Sequence, residues 1–133
     1  MELIHFRRDG RDYLARCLSE GRVVVVDFDQ QQVILERWMR KRWQHHNYAS
    51  PDGTLIAACG WYSRGIEFFD SFSGESRGFF RHSRPVAVWI DQTNRYVVST
   101  CGTILDAADG SFDQKIKAAK WWRDAGVRPA AIE

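Results

Sequence analysis

The sequence predicts a mostly β protein: consecutive four-stranded antiparallel meanders in an open array, followed by a C-terminal helix at about 112–125. Three observations predict it. Cys17, Cys59 and Cys101 stand at an even 42-residue spacing, and their neighbours keep step: Tyr13, Leu55 and Val97; Leu14, Ile56 and Val98; Ala15, Ala57 and Ser99. A period of that length marks a repeat architecture. Six Trp, eight Phe and four Tyr favour sheet over helix. Short runs of strand-forming residues alternate with Gly, Asp, Ser and Asn turn signals.

The strands follow in order. Leu3 to Arg8 and Asp12 to Cys17 flank the turn Asp9-Gly10. Ser19-Glu20-Gly21 leads into Val23 to Phe28, where four consecutive valines predict burial on both faces. Gln30 to Gln32 turns into Val33 to Trp38, a strand with a basic outer side. The second round runs through Trp43 to Ala49, Thr54 to Cys59, Gly65 to Phe69 and Arg77 to Arg81, with Ser50-Pro51-Asp52-Gly53 and Ser73-Gly74 as turns. The third has Pro85 to Ile90, Tyr96 to Cys101 and Thr103 to Leu105, with Phe6, Tyr48 and Ile90 in equivalent places. It then breaks off. Ser111 and Gln114 have the spacing of a capping box, and Phe112, Ile116, Ala119 and Trp122 recur at near-helical spacing. Gly126 and Pro129 fit the helix end. The 133 residues make one domain, with repeats at about 3–38, 43–81 and 85–110.

Ser50-Pro51-Asp52-Gly53 followed by Leu55-Ile56-Ala57-Ala58 resembles the turn and second strand of a β-propeller blade of the WD-repeat kind. Ile66-Glu67-Phe68-Phe69-Asp70 is similar to its third strand, with Phe69-Asp70, Phe28-Asp29 and Leu105-Asp106 at the Trp-Asp place. Arg81-His82-Ser83-Arg84-Pro85-Val86-Ala87-Val88 resembles the Gly-His segment. The resemblance implies propeller-like blades. Closed propellers use about four to eight, whereas fewer than three full blades are read here, so the array is expected to be open. The helix would cover one terminal blade and a second copy, forming a homodimer, the other. A twisted β-sandwich or an incomplete barrel is the alternative.

The composition excludes several functions. A net charge of +2 is too small a bias to argue for nucleic acid or membrane binding. No apolar run approaches the ~20 residues that span a bilayer, and the first residues lack a signal peptide's apolar stretch. An odd cysteine count without a CxxC pair predicts reduced thiols and a cytoplasmic protein. The cysteines are read as small buried hydrophobes. His45 and His46 point opposite ways on a strand, so no metal is expected. No catalytic motif, phosphate-cradling loop or cofactor site is present.

Binding remains. The segment Glu36 to Tyr48 mixes Arg37, Arg40, Lys41 and Arg42 with Trp38, Trp43 and Tyr48. It allows single-stranded nucleic-acid binding through residues 37–48 as an alternative function, by stacking and charge. The loop Gly60 to Gly65 is longer than its third-round counterpart and carries Trp61, Tyr62 and Arg64, residue types enriched at binding hot spots. The expected function is therefore non-catalytic binding of another protein through Trp38, Arg40, Trp43, Trp61, Tyr62 and Arg64. An inhibitor or immunity-type protein that neutralises a toxin or enzyme suits this class, and a small lectin using the tryptophans is the third option.

Overall fold

Asp9 and Gly10, both at positive φ (53° and 77°), fold β1 (Leu3–Arg8) back onto β2 (Arg11–Leu18). Gly is at ease in that region, and Asp tolerates it. The computed structural model describes residues 3–18, 21–39, 46–59, 65–81, 88–99 and 103–124. β3 (Arg22–Asp27) and β4 (Gln32–Trp38) complete a first antiparallel sheet in the order β1-β2-β3-β4. β5 (His46–Ala49), β6 (Leu55–Cys59), β7 (Gly65–Asp70) and β8 (Ser76–Arg81) form the second. β9 (Val88–Ile90), β10 (Tyr96–Ser99), β11 (Ile104–Asp106) and β12 (Gln114–Ile116) form the third. The first strands β1, β5 and β9 are neighbours, so the sheets radiate from one side like blades. The fold is an open array of four-stranded meanders, as the period predicts.

Two cores lie between the sheets. Tyr13, Ala15, Cys17, Val23 and Val25 of the first sheet meet Ile56, Ala58 and Phe69 of the second. The opposite face of the second, Leu55, Ala57, Cys59, Ile66 and Phe68, meets Ile90, Val97, Leu105 and Phe112. Each fully buried Leu, Ile or Phe contributes roughly 1.5–3 kcal/mol. Neither Cys17 nor Cys59 is in a disulfide, and both are buried. Burial pushes the Cys17 thiol up to about 11, which leaves it protonated and inert at neutral pH.

Polar clamps repeat at the two joints. Arg37 Nε on β4 donates to the Gly74 carbonyl of the next sheet at 2.6 Å, and Arg77 Nε on β8 donates to Gly110 at 2.8 Å. Arg37 also pairs with the buried Glu67 at 2.9 Å and lies over the Phe69 ring. The expected basic outer side of this strand is thus corrected at Arg37: it lies opposite Val23 and points into the joint. Arg8 bridges to Asp70 at 3.2 Å and covers Phe72. Asp27, Asp70 and Asp106, at the ends of β3, β7 and β11, each accept backbone N–H groups from the following turn and an arginine.

Further expectations need correction. The helix does not begin at 112. Ser111 Oγ bonds Asp109 and Asp113, and Gln114 Nε2 reaches Asp109 at 3.1 Å, so the capping box does not form. Phe112 is instead buried against Phe68, and Gln114–Ile116 pairs with β11. The third round is therefore complete, making three full sheets rather than fewer. The helix α1 is shorter, Ala118–Asp124, and residue 125 lies outside the described residues. Trp121 of α1 packs on Tyr96 and Ile104, the far face of the third sheet.

The register of the third round is also displaced. Tyr13, Leu55 and Tyr96 pair with the strand-end carboxylates Asp27, Asp70 and Asp106, so Leu55 corresponds to Tyr96 and not to Val97. Ile90 correspondingly matches Ala49, not Tyr48. Finally, the valine run is buried on one face only: Val23 and Val25 are enclosed, while Val24 and Val26 are half-buried on the opposite side.

The carboxylates at the joints make acid stability testable. Asp52 is desolvated, which raises its pKa, but hydrogen bonds from Asn94, Thr54 and Ser50 outweigh this and hold it at about 2 against an ordinary 3.8. Its Oδ2 accepts from Asn94 of the third sheet at 2.6 Å. Asp70 is lowered too: burial raises it, and hydrogen bonds from Ser73, Phe72 and Arg8 overcome that. A depressed carboxylate stabilises the fold above its unfolded pKa and loses that contribution as pH falls through the folded value. Stability, followed by chemical denaturation, is expected to fall between about pH 4 and pH 2. The Asp52→Asn variant should have a shallower decline.

Candidate binding face

Strand alternation gives every sheet two faces, and a terminal sheet has a neighbour for one of them. On the first sheet the free face is read from the register. Leu3, Arg16, Val24 and Glu36 form one cross-strand row. His5, Leu14, Val26 and Val33 form the next, and Leu18, Arg22 and Trp38 a third. In the second sheet the places of Leu14 and Val26 are taken by Ile56 and Phe69, both fully buried against the first sheet. In the third, Val97 and Leu105 take them, buried against the second.

On the first sheet these places are open. Leu3 is 60% exposed, Val33 56% and Trp38 64%. Leu3, Leu14, Arg16, Leu18, Val24 and Val26 line an apolar hollow of about 330 Å³. Contiguous exposed apolar surface of this kind marks an interaction site more often than scattered single residues do. The charges at its margin are mostly paired: His5 and Arg7 with Asp12 at 2.8 and 3.3 Å, and Arg22 with Glu36 at 3.8 Å. The Arg22 guanidinium also stands 5.9 Å from the Trp38 ring centre. Arg16, exposed in the middle of the face, has no ion-pair partner among the described residues.

Of the sequence-predicted contact residues, Trp38 lies on this face. Arg40, Trp43, Trp61, Tyr62 and Arg64 lie outside the described residues. Leu3, Leu14, Arg16, Val24, Val26 and Val33 were not singled out by sequence reasoning. The signal was present: β2 and β3 are apolar at even as well as odd positions, and among the described residues the first sheet packs against the second.

Among the described residues no three His, Cys, Asp or Glu side chains converge as metal ligands. Asp106 is held below its ordinary value by its hydrogen bond from Arg95, and the Tyr96 hydroxyl, buried and donating to Asp124 at 3.0 Å, is pushed up to about 12. Both groups are engaged in holding the third sheet and α1. No described helix is long and apolar enough to cross a membrane.

No family model matches the chain, and no curated protein does. Solved structures do match. Hydrazine synthase from Kuenenia stuttgartiensis is 18% identical, with a TM-score of 0.64 over 84% of this chain and 33% of that one. A proposed 6-phosphogluconolactonase from Bacteroides fragilis is 19% identical, with a TM-score of 0.67 over 87% of this chain and 37% of that one. The chain thus spans about a third of the length of these two proteins. At such identities the likeness concerns fold alone, and both neighbours are propeller-like.

Proposed function

We propose that this chain is a non-catalytic protein-binding module, of the kind that serves as a small inhibitor or immunity-type protein. The observation that supports this is the open face of the first sheet, where Leu3, Val33 and Trp38 stand exposed around a hollow walled by Leu14, Val24 and Val26. Apolar surface on a rigid sheet, with a tryptophan at its edge, is what a protein partner buries at the centre of an interface. The nucleic-acid alternative loses one of its cations, because Arg37 is committed to Glu67 and Gly74.

Affinity capture with the purified chain tests the reading. The wild type is expected to retain a stoichiometric protein partner, and Trp38→Asp to lose it while melting at an unchanged temperature. Retention of single-stranded nucleic acid with a steep salt dependence would overturn the proposal.

A further inference from the structure

We infer that Asp9 is a site of spontaneous isoaspartate formation, and that the fold holds back the chain's two other Asp-Gly pairs, Asp52-Gly53 and Asp109-Gly110, from the same reaction. The inference is independent of the protein-binding reading.

The reaction needs an aspartate, the next amide and water. The Gly10 nitrogen bonds to Asp9 Cγ and gives up its proton, and the carboxyl releases one oxygen as water, which closes a cyclic succinimide. Water then adds to the main-chain carbonyl carbon of Asp9, and the bond from that carbon to the Gly10 nitrogen breaks. The main chain now runs through Cβ and Cγ, and the former carbonyl is a free carboxyl. One water leaves and one returns, and nothing is oxidised or reduced. Glycine favours the first step because it has no Cβ to hinder the approach of its nitrogen.

The structure separates the three pairs. At the second, both reacting groups are engaged. Asp52 Oδ1 accepts from the Ser50 hydroxyl at 2.8 Å, the Thr54 N–H at 3.0 Å and the Thr54 hydroxyl at 2.8 Å, and Oδ2 accepts from Asn94 at 2.6 Å. The Gly53 N–H donates to the Ser50 carbonyl at 2.9 Å. At the third, Asp109 Oδ1 accepts from the Ser111 N–H at 3.0 Å and Oδ2 from Gln114 at 3.1 Å. The Gly110 N–H donates to the Ala107 carbonyl at 2.9 Å.

Asp9-Gly10 differs on each count. Both residues are exposed at the tip of the β1–β2 hairpin. Among the described residues the Asp9 carboxylate accepts no hydrogen bond, and the Gly10 N–H donates to no backbone carbonyl. The Gly10 carbonyl accepts from Arg7 at 2.8 Å, but that oxygen takes no part in the ring closure.

The freedom of the turn matters as well. With Asp9 in the left-handed region, φ 53°, the Gly10 nitrogen stands away from the carboxyl. The peptide between them must turn before the ring can close, so local opening sets the rate. At the hairpin tip little resists it, since even a Cβ on Gly10 would meet nothing within 4 Å. Gly53 instead lies under the Arg7 carbonyl and accepts from Ser71 at 2.6 Å, and Gly110 is anchored by Arg77 at 2.8 Å.

The product turn is one backbone atom longer than the two-residue turn that pairs Arg8 with Arg11. It presents its new carboxyl to solvent, within reach of an isoaspartyl carboxyl methyltransferase, which would pass a methyl group from S-adenosylmethionine to that carboxylate.

Ageing the purified full chain at neutral pH below its melting temperature, followed by chymotryptic mapping of the three pairs, tests the inference. In the native chain isoaspartate is expected to form at Asp9 at least about tenfold faster than at Asp52 or Asp109, which react only when several hydrogen bonds open together. In concentrated denaturant the three rates should converge to within about threefold, because the pairs are chemically alike once unfolded. Asp9→Gly accepts the left-handed turn without a Cβ penalty and removes the carboxyl. This variant should lose most of the methyl incorporation that an isoaspartyl carboxyl methyltransferase gives with the aged native chain. A native Asp9 rate within about threefold of either other pair, or undiminished methyl incorporation in Asp9→Gly, would overturn the inference.

Discussion

Phe68→Ala is expected to lower stability by about 3–5 kcal/mol, a large loss for a single side chain. Phe68 is fully buried on the face of β7 that meets the third sheet. Its ring lies 4.6 Å from that of Phe112, in a cluster that includes Leu55, Ile66, Val97 and Leu105. The residue opposite it on β8 is Gly78, where a Cβ would meet the Phe112 backbone nitrogen at 2.8 Å. Phe112 is thus held from two sides, and β7 is pinned by strands on both flanks. A cavity at Phe68 cannot collapse by shifting either element, so the full transfer and cavity costs apply. The melting temperature should drop by roughly 10–20 °C. Phe28→Ala, in an exposed turn, is the control and should change stability by less than about 0.5 kcal/mol. A loss below about 1 kcal/mol at Phe68 would show that the second and third sheets do not share one core.

Phe112 also shows where sequence reasoning reached its limit. Strands and turns were legible because alternation and Gly, Asp and Asn positions are local signals. Whether Ser111 caps a helix is not local. The hydroxyl has Asp109 and Asp113 within reach, and the close approach of the backbone at Gly78 decides for an extended segment. The register of the third round failed for a different reason. Buried sheets carry apolar residues on both faces, so a slip of one residue still finds an apolar partner at each place. The even cysteine spacing concealed it, and only the pairing of Tyr96 with Asp106 reveals it. The binding face was half legible. That a terminal sheet must expose an apolar face follows from any open array; which rows it exposes requires the register of four strands. Trp38 was found because it is aromatic, whereas Arg16 in the same face looked like any surface arginine.

The joints offer a second large effect, with a built-in control. Gly53 and Gly10 sit in turns of different length but share nearly the same φ, 75° and 77°. Alanine at either position carries the penalty of a Cβ in the left-handed region, about 1–2 kcal/mol. At Gly10 nothing else is affected, because the turn faces open space. At Gly53 the new Cβ runs into the Arg7 carbonyl of the first sheet, a backbone atom that cannot rotate away, and the Cβ of Arg8 stands 3.0 Å off. The turn is also held by Ser71, just after β7, whose hydroxyl donates to the Gly53 carbonyl at 2.6 Å, and Arg8 reaches that same hydroxyl at 3.0 Å. Relief by moving the turn would therefore pull on Arg8 and its ion pair with Asp70. Gly53→Ala is expected to cost at least about 3 kcal/mol and Gly10→Ala about 1–2 kcal/mol, measured by denaturant unfolding under the same conditions. The difference between them isolates the fit of the second sheet on the first. Equal losses would mean that only backbone strain was measured and that the two sheets do not meet at this turn. A large loss at Gly53 with a small one at Gly10 would establish that one side of the hairpin level of the array is a closed joint and the other is free, which is the asymmetry that leaves the first sheet's outer face available to a partner.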